Sequence, residues 1–164
     1  MTSISKKIYF ASDQHFGAPT PELSFPREQK FVAWLDEVKK DAEAIFLLGD
    51  LFDFWFEYKT VVPKGFVRVL GKLAEIRDSG IPIYFFVGNH DLWMNDYFEK
   101  ELNIPVFHDN QEYTFHGKTF LVGHGDGKGP GDLGYKRMKK VFTNPFSKWL
   151  FRWLHPDLGV GLAQ

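Results

Sequence analysis

Asp13 and His15, Asp50, Asn89 and His90, and His124 stand at four points of the chain, each just after a short apolar run. Carboxylate, imidazole and amide oxygen together suit Mn, Fe, Zn or similar borderline divalent ions. The sequence has no cysteine, so no thiolate closes a coordination sphere. Positions then stay open for water and substrate, as catalysis requires. Two such ions about 3.5–4 Å apart need a bridging carboxylate and can activate water for in-line attack on phosphorus. Asp50 follows the most apolar run, Ile45-Phe46-Leu47-Leu48, and is the natural bridge. Taken singly, Asp13-Gln14-His15, Gly49-Asp50 and Asn89-His90-Asp91 are ordinary turn chemistry. Their recurrence at the ends of four successive predicted strands makes them one candidate site, because ligands of open α/β sheets gather beyond the carboxyl ends of the strands.

The elements that must deliver these residues can be read from periodicity. Lys7–Ser12 alternates and reads as a first strand. Phe31, Trp34, Leu35 and Val38 have helical spacing within 27–40, with Pro26 near the start. The central strand ends at Gly49-Asp50, and its unbroken apolar character implies burial on both faces. Phe66, Val69, Leu70, Leu73 and Ile76 mark a second helix capped at Gly80. Pro82–Val87 is a third strand, and a short helix is expected over 96–102. Tyr113–Phe115 and Thr119–Val122 flank His116-Gly117-Lys118 as a hairpin, with His108 and His116 in solvent. The order predicts an α/β layered domain with a mixed sheet flanked by helices.

Composition narrows the function classes. The 164 residues suffice for one domain with a real core, and the net charge of −1 gives no global field for nucleic acid. From Leu133 to Pro156, however, six Lys/Arg occur with no Asp/Glu, leaving 14 basic and 21 acidic residues elsewhere. One face is therefore expected to meet an anion or a membrane surface. The sequence has no secretory h-region and no run of 18 apolar residues, so the expected location is cytoplasmic, at most peripheral on a membrane.

Within 135–154, Met138, Val141, Phe142, Phe146, Trp149, Leu150 and Trp153 recur at helical spacing around a break at Asn144-Pro145. Lys136, Arg137, Lys139, Lys140, Lys148 and Arg152 cover other faces. The segment is either two short core helices with solvated sides or an interfacial, lipid-handling lid, and the aromatic density favours the lid. Gly129-Pro-Gly131-Asp-Leu-Gly134 has the letters of a dinucleotide fingerprint but lacks the preceding strand, and carries no such reading. Asp53 either orients a ligand or is a loop residue, and Asp126 is similar.

The ordered motifs Asp13-x-His15, Gly49-Asp50-x-x-Asp53, Gly88-Asn89-His90-Asp91 and Gly123-His124-Gly-Asp126 resemble those of calcineurin-like metallophosphoesterases. Gly-Asp-Leu-Phe-Asp-Phe-Trp and the aromatic–basic segment are similar to UDP-2,3-diacylglucosamine diphosphatases of lipid A synthesis. The resemblance implies a layered sandwich whose core covers 1–127, with 128–164 a helical lid and not an independent domain. It implies two divalent ions, Mn²⁺ foremost, held by Asp13 and His15, by Asn89 and His124, and by Asp50 between them. It implies His90, Asp91 and Asp50 as catalytic residues, with His90 protonating the leaving group or clamping phosphate where relatives often carry Arg. Asn89, His90 and Asp126 would contact substrate, with Phe142, Phe146, Trp149 and Trp153 walling an acyl groove and Lys136 and Lys140 meeting phosphates. The implied partners are a nucleotide-linked glycolipid and the inner-membrane surface, without nucleic acid. The family's closing Gly-His-x-His, one further ligand for each ion, does not occur in these 164 residues. A soluble-substrate phosphodiesterase and a metal-poor binding scaffold remain alternative readings.

Overall fold

The computed structural model describes residues 6–126, 139–153 and 155. Strands β1 (Lys7–Ala11), β2 (Ala42–Leu48), β3 (Ile83–Phe86) and β4 (Val106–Phe107) form one parallel sheet in the order β1-β2-β3-β4. Helices α1 (Pro21–Val38), α2 (Val67–Asp78) and α3 (Tyr97–Leu102) connect them. Strands β5 (Gln111–Phe115) and β6 (Lys118–Val122) pair antiparallel as a separate two-stranded sheet. The expected mixed sheet is thus split in two: a purely parallel sheet, and a hairpin packed against it.

The alternation in β2 decides the layering. Ile45 and Leu47 face the helices, joining Phe31 and Leu35 of α1, Val69 and Leu73 of α2, and Phe98 of α3. Ala44 and Phe46 point the other way, with Phe86, toward Val122, Tyr113 and Phe115 of the hairpin. Phe46 meets Tyr113 edge-on at 4.9 Å and Phe115 at 5.5 Å, and is fully buried. Truncating such a ring costs about 3–5 kcal/mol. Phe46 therefore fastens the hairpin, and with it the His124 loop, to the sheet.

Helix α1 begins six residues earlier than its apolar spacing implies. Thr20 accepts from the Leu23 N–H, Pro21 takes the first turn and Glu22 adds a favourable charge there. Pro26 lies inside the helix at the cost of one ladder bond. Helix α2 stops as read, with Gly80 at φ +90° after the Ser79 cap. Strand β4 is too short for any alternation to reveal. Glu57, on the loop after β2, is buried and accepts from Trp55 Nε1 at 3.0 Å and from the N–H groups of Asn95, Asp96 and Tyr97 at 2.8–3.1 Å. Its charge stands at the start of α3, where the N–H groups have no helical partner.

Beyond β6, residues 139–143 are helical, Asn144 caps the next turn through its side chain, and α4 spans Pro145–Arg152. The break at Asn144-Pro145 is where the sequence sets it. Among the described residues no helix is long and apolar enough to cross a membrane.

Candidate metal centre

The loops beyond the carboxyl ends of β1, β2 and β3 converge with the loop that follows β6 of the hairpin. Parallel pairing continues past β1 and β2: Asp13 N–H donates to Gly49 O at 3.1 Å, His15 N–H to Asp50 O at 2.9 Å and Phe16 N–H to Leu51 O at 2.9 Å. Asp13, His15 and Asp50 all sit at positive φ, between +46° and +60°. Non-glycine residues reach that region at a cost of about 1–3 kcal/mol each, and such strain gathers where side chains must be aimed. Gly49 and Gly88 allow the close approach. A Cβ at Gly49 would lie 2.7 Å from Gly88 and from His124 Nδ1, and one at Gly88 would fall on the Asp50 carboxylate.

Asp50, 3% exposed, is at the centre. Its Oδ1 accepts from the His90 N–H at 2.9 Å. Its Oδ2 lies 3.7 Å from His15 Nε2 on one side and 3.5 Å from His124 Nε2 on the other. The tautomers follow from the remaining contacts. His124 Nδ1 is 2.7 Å from the Leu48 carbonyl, which only accepts, so Nδ1 carries the proton and donates. His124 Nε2 therefore presents a lone pair, and it faces Asn89 Oδ1 at 3.2 Å. His15 Nδ1 likewise donates to Asp53 Oδ1 at 3.2 Å, freeing Nε2. Asp13 completes a group with His15 and Asp50 whose ligand atoms lie within 4.8 Å of one another.

The donor set fits divalent ions. Lone pairs of His15, Asp50, His124 and Asn89 point at one another with no proton between them, an arrangement that repels unless a cation lies among the atoms. Ligands about 2.0–2.2 Å from a metal stand roughly 3–3.5 Å apart, close to the spacings here. Asp13, His15 and Asp50 can hold one ion, and Asp50, Asn89 and His124 a second.

Asp53 orients its neighbours. Besides His15 Nδ1, its Oδ1 lies 3.3 Å from His90 Nδ1, and its carbonyl accepts from the same nitrogen at 2.9 Å. The His15 and His90 rings meet edge-on at 4.5 Å. His90, 40% exposed, keeps Nε2 available to solvent or substrate. Asp91, beside His90, is engaged by the backbone. It is fully buried, with Oδ1 accepting from Gly88 N–H at 2.7 Å and Oδ2 from Leu51 N–H at 3.0 Å. Both oxygens are spent tying the Asp50 loop to the Asn89 loop. Burial raises its carboxyl to about 6, against those two N–H groups, and the Asp50 charge adds to the rise.

The aromatic segment is placed differently from the expected groove. Phe146, Trp149 and Trp153 lie along one face of α4, more than half exposed; Phe146 stacks on Trp149 at 5.8 Å, and Trp149 meets Trp153 edge-on at 5.9 Å. Among the described residues no wall stands opposite them. Phe151, not singled out from sequence, docks the helix on Phe56 at 4.6 Å and Trp93 at 4.7 Å. Phe142 is anchored by its carbonyl, which accepts from Trp93 Nε1 at 2.7 Å. Asp126 pairs with Lys139 at 2.6 Å, Lys140 is exposed, and Lys136 with Gly129–Gly134 lies outside the described residues.

Comparison with known proteins agrees with this arrangement. The family profile described as calcineurin-like phosphoesterase matches residues 6–158. A UDP-2,3-diacylglucosamine hydrolase of Porphyromonas gingivalis is 43% identical over 158 residues, covering 96% of this chain and 60% of that protein. Proteins of the same name from Edwardsiella ictaluri and Actinobacillus succinogenes are 32% and 30% identical, covering 94% and 96% of this chain and 58% and 65% of theirs. The chain thus spans about three fifths of the length of these relatives. Among solved structures, a protein of unknown function from Aquifex aeolicus shares the fold, with a TM-score of 0.52 at 21% identity, covering 82% of this chain and 71% of that one.

Proposed function

The chain belongs to the calcineurin-like phosphoesterases, and from that premise we propose that it serves to hydrolyse the pyrophosphate bond of UDP-2,3-diacylglucosamine, yielding UMP and 2,3-diacylglucosamine 1-phosphate. The names of its relatives support the substrate. The observation that carries the chemistry is Asp50 Oδ2 lying between two imidazole Nε2 atoms whose protons are directed elsewhere.

Asp13, His15, Asp50, Asn89 and His124 would hold two divalent ions, for which manganese is well matched. When bound, such ions supply Lewis-acid polarisation of the phosphoryl group and a more acidic water. The chain's own residues do the positioning. Asp53 fixes the His15 and His90 rings, and Asp91 locks the two loops that carry Asp50 and Asn89. His90 Nε2 faces outward to meet the phosphate or to give a proton to the leaving oxygen. The described aromatic–basic stretch, 139–153, acts as a lid. Phe142, Phe146, Trp149 and Trp153 offer apolar surface to acyl chains or the inner-membrane surface, while Lys136 and Lys140 meet anionic headgroups. Asp126 shapes the base of that segment through Lys139.

The test is turnover with manganese of UDP-2,3-diacylglucosamine against UDP-glucose and bis(p-nitrophenyl) phosphate. Release of UMP from the lipid substrate at a kcat/KM far above that for the other two supports the proposal. Equal or greater activity on the soluble esters overturns it.

A further inference from the structure

Beside the metal centre lies a cavity of about 660 Å³, within the range of small-molecule sites. It borders the centre through two of the loops that build it: Phe16 and Gly17 follow His15, and Asp53 and Phe54 follow Asp50. Phe25, Phe56 and Phe66 add further aromatic wall. Two polar groups in this apolar lining have no hydrogen-bond partner among the described residues. Glu28 falls on the buried stripe of α1, in register with Ser24, Phe31, Leu35 and Val38, where the helix pattern calls for an apolar residue. The residue is 7% exposed, it lines the cavity, and neither a hydrogen bond nor an ion pair closes on its carboxyl. The Tyr58 hydroxyl is buried and unpartnered as well. Arg68, at the cavity's rim, lies over the Phe25 ring at 4.7 Å.

We propose that this cavity is the nucleobase site: a flat heterocycle stacks among the phenylalanines, its N–H edge on Glu28 and a carbonyl on the Tyr58 hydroxyl, while its phosphate reaches the Asp50 centre. The proposal rests on the reading of the substrate as a uridine nucleotide, which makes the base uracil. An acyl chain would suit the walls but leave a buried carboxyl and a buried hydroxyl without partners, which is expensive. A base satisfies both and stacks on aromatic rings whatever its identity. Burial raises the Glu28 carboxyl, with Arg68 opposing. In its neutral form the group offers a donor beside an acceptor, the complement of an N–H next to a carbonyl.

The test is calorimetric titration of the 164-residue chain in manganese, with UMP, AMP, ribose 5-phosphate and decyl phosphate as probes. UMP is expected to bind roughly tenfold more tightly than ribose 5-phosphate. Glu28→Leu should abolish most of that preference and Tyr58→Phe part of it, with ribose 5-phosphate unaffected in both. Because Glu28→Leu also removes a buried, unpartnered carboxyl, its Tm should rise, which separates lost recognition from a damaged fold. A Glu28-dependent preference for AMP instead of UMP would uphold the base site and overturn the uridine substrate. A preference for decyl phosphate over both nucleotides, or identical UMP binding by wild type and both variants, would overturn the base site and leave the substrate reading standing.

Discussion

Replacing Asp91 with asparagine tests how the two ligand loops are joined. In the wild type one buried carboxyl receives the N–H groups of Gly88 and Leu51. Asparagine keeps one acceptor oxygen and turns its NH₂ toward the second donor, leaving a buried N–H unpaired at a cost of about 1–3 kcal/mol. The pH dependence is the sharper signature. Burial raises the Asp91 carboxyl from 3.8 to about 6, so between those values the native state binds a proton that the unfolded chain releases. Stability from this group is therefore greatest below the unfolded value and is lost as pH rises through about 6, by about 3 kcal/mol in all. Going from about pH 7.5 to about pH 4.5 recovers about 2 kcal/mol of it. Urea unfolding of both proteins at these two pH values, in chelator, isolates the effect, since other titrating groups cancel in the difference. The wild type should gain about 2 kcal/mol on Asp91→Asn upon acidification. A difference that stays flat would mean the two N–H donors outweigh burial, and the reasoning would be refuted.

Three other perturbations follow from the geometry. Glu57→Ala strips four donors of their buried acceptor and should cost about 3–5 kcal/mol in urea unfolding; a loss under about 1 kcal/mol would show that water replaces the carboxylate. Gly88→Ala drives a methyl group into the Asp50 carboxylate, so manganese affinity should fall at least about tenfold with a modest loss of stability; unchanged affinity would mean the two loops are free to separate. Trp149→Ser with Trp153→Ser should raise KM for the diacyl substrate while leaving a small phosphodiester nearly untouched. Equal losses on both substrates would assign these rings a structural role.

Much of this architecture is legible in the sequence because two periodicities are clean. The unbroken run before Gly49 belongs to a strand covered on both faces, and Gly80 ends α2 where a positive φ is needed. The candidate ligands are legible for a different reason, since each follows the end of a predicted strand. What failed to show were features set by tertiary contact. The early start of α1 depends on Thr20 capping across Pro21, while Pro26 suggests a later beginning. Strand β4 exists only because Pro105 and Phe107 pair with β3. Glu57 and Glu28 are charged residues at buried positions; Glu28 betrays itself by interrupting an apolar stripe, but Glu57 stands in a loop without period. Asp91 beside His90 looks like a second reactive group, and only three-dimensional pairing shows both its oxygens engaged by backbone. Helical spacing reveals the aromatic stripe of α4, but only the structure shows that it faces outward.

The central claim is that Asp50 serves two ions at once, and manganese titration by calorimetry tests it most directly. The wild type should take up two equivalents. His15→Ala and Asn89→Ala should each weaken one of them, and Asp50→Ala should remove both. Retention of one equivalent at unchanged affinity in Asp50→Ala would contradict the bridging role, whatever the activity.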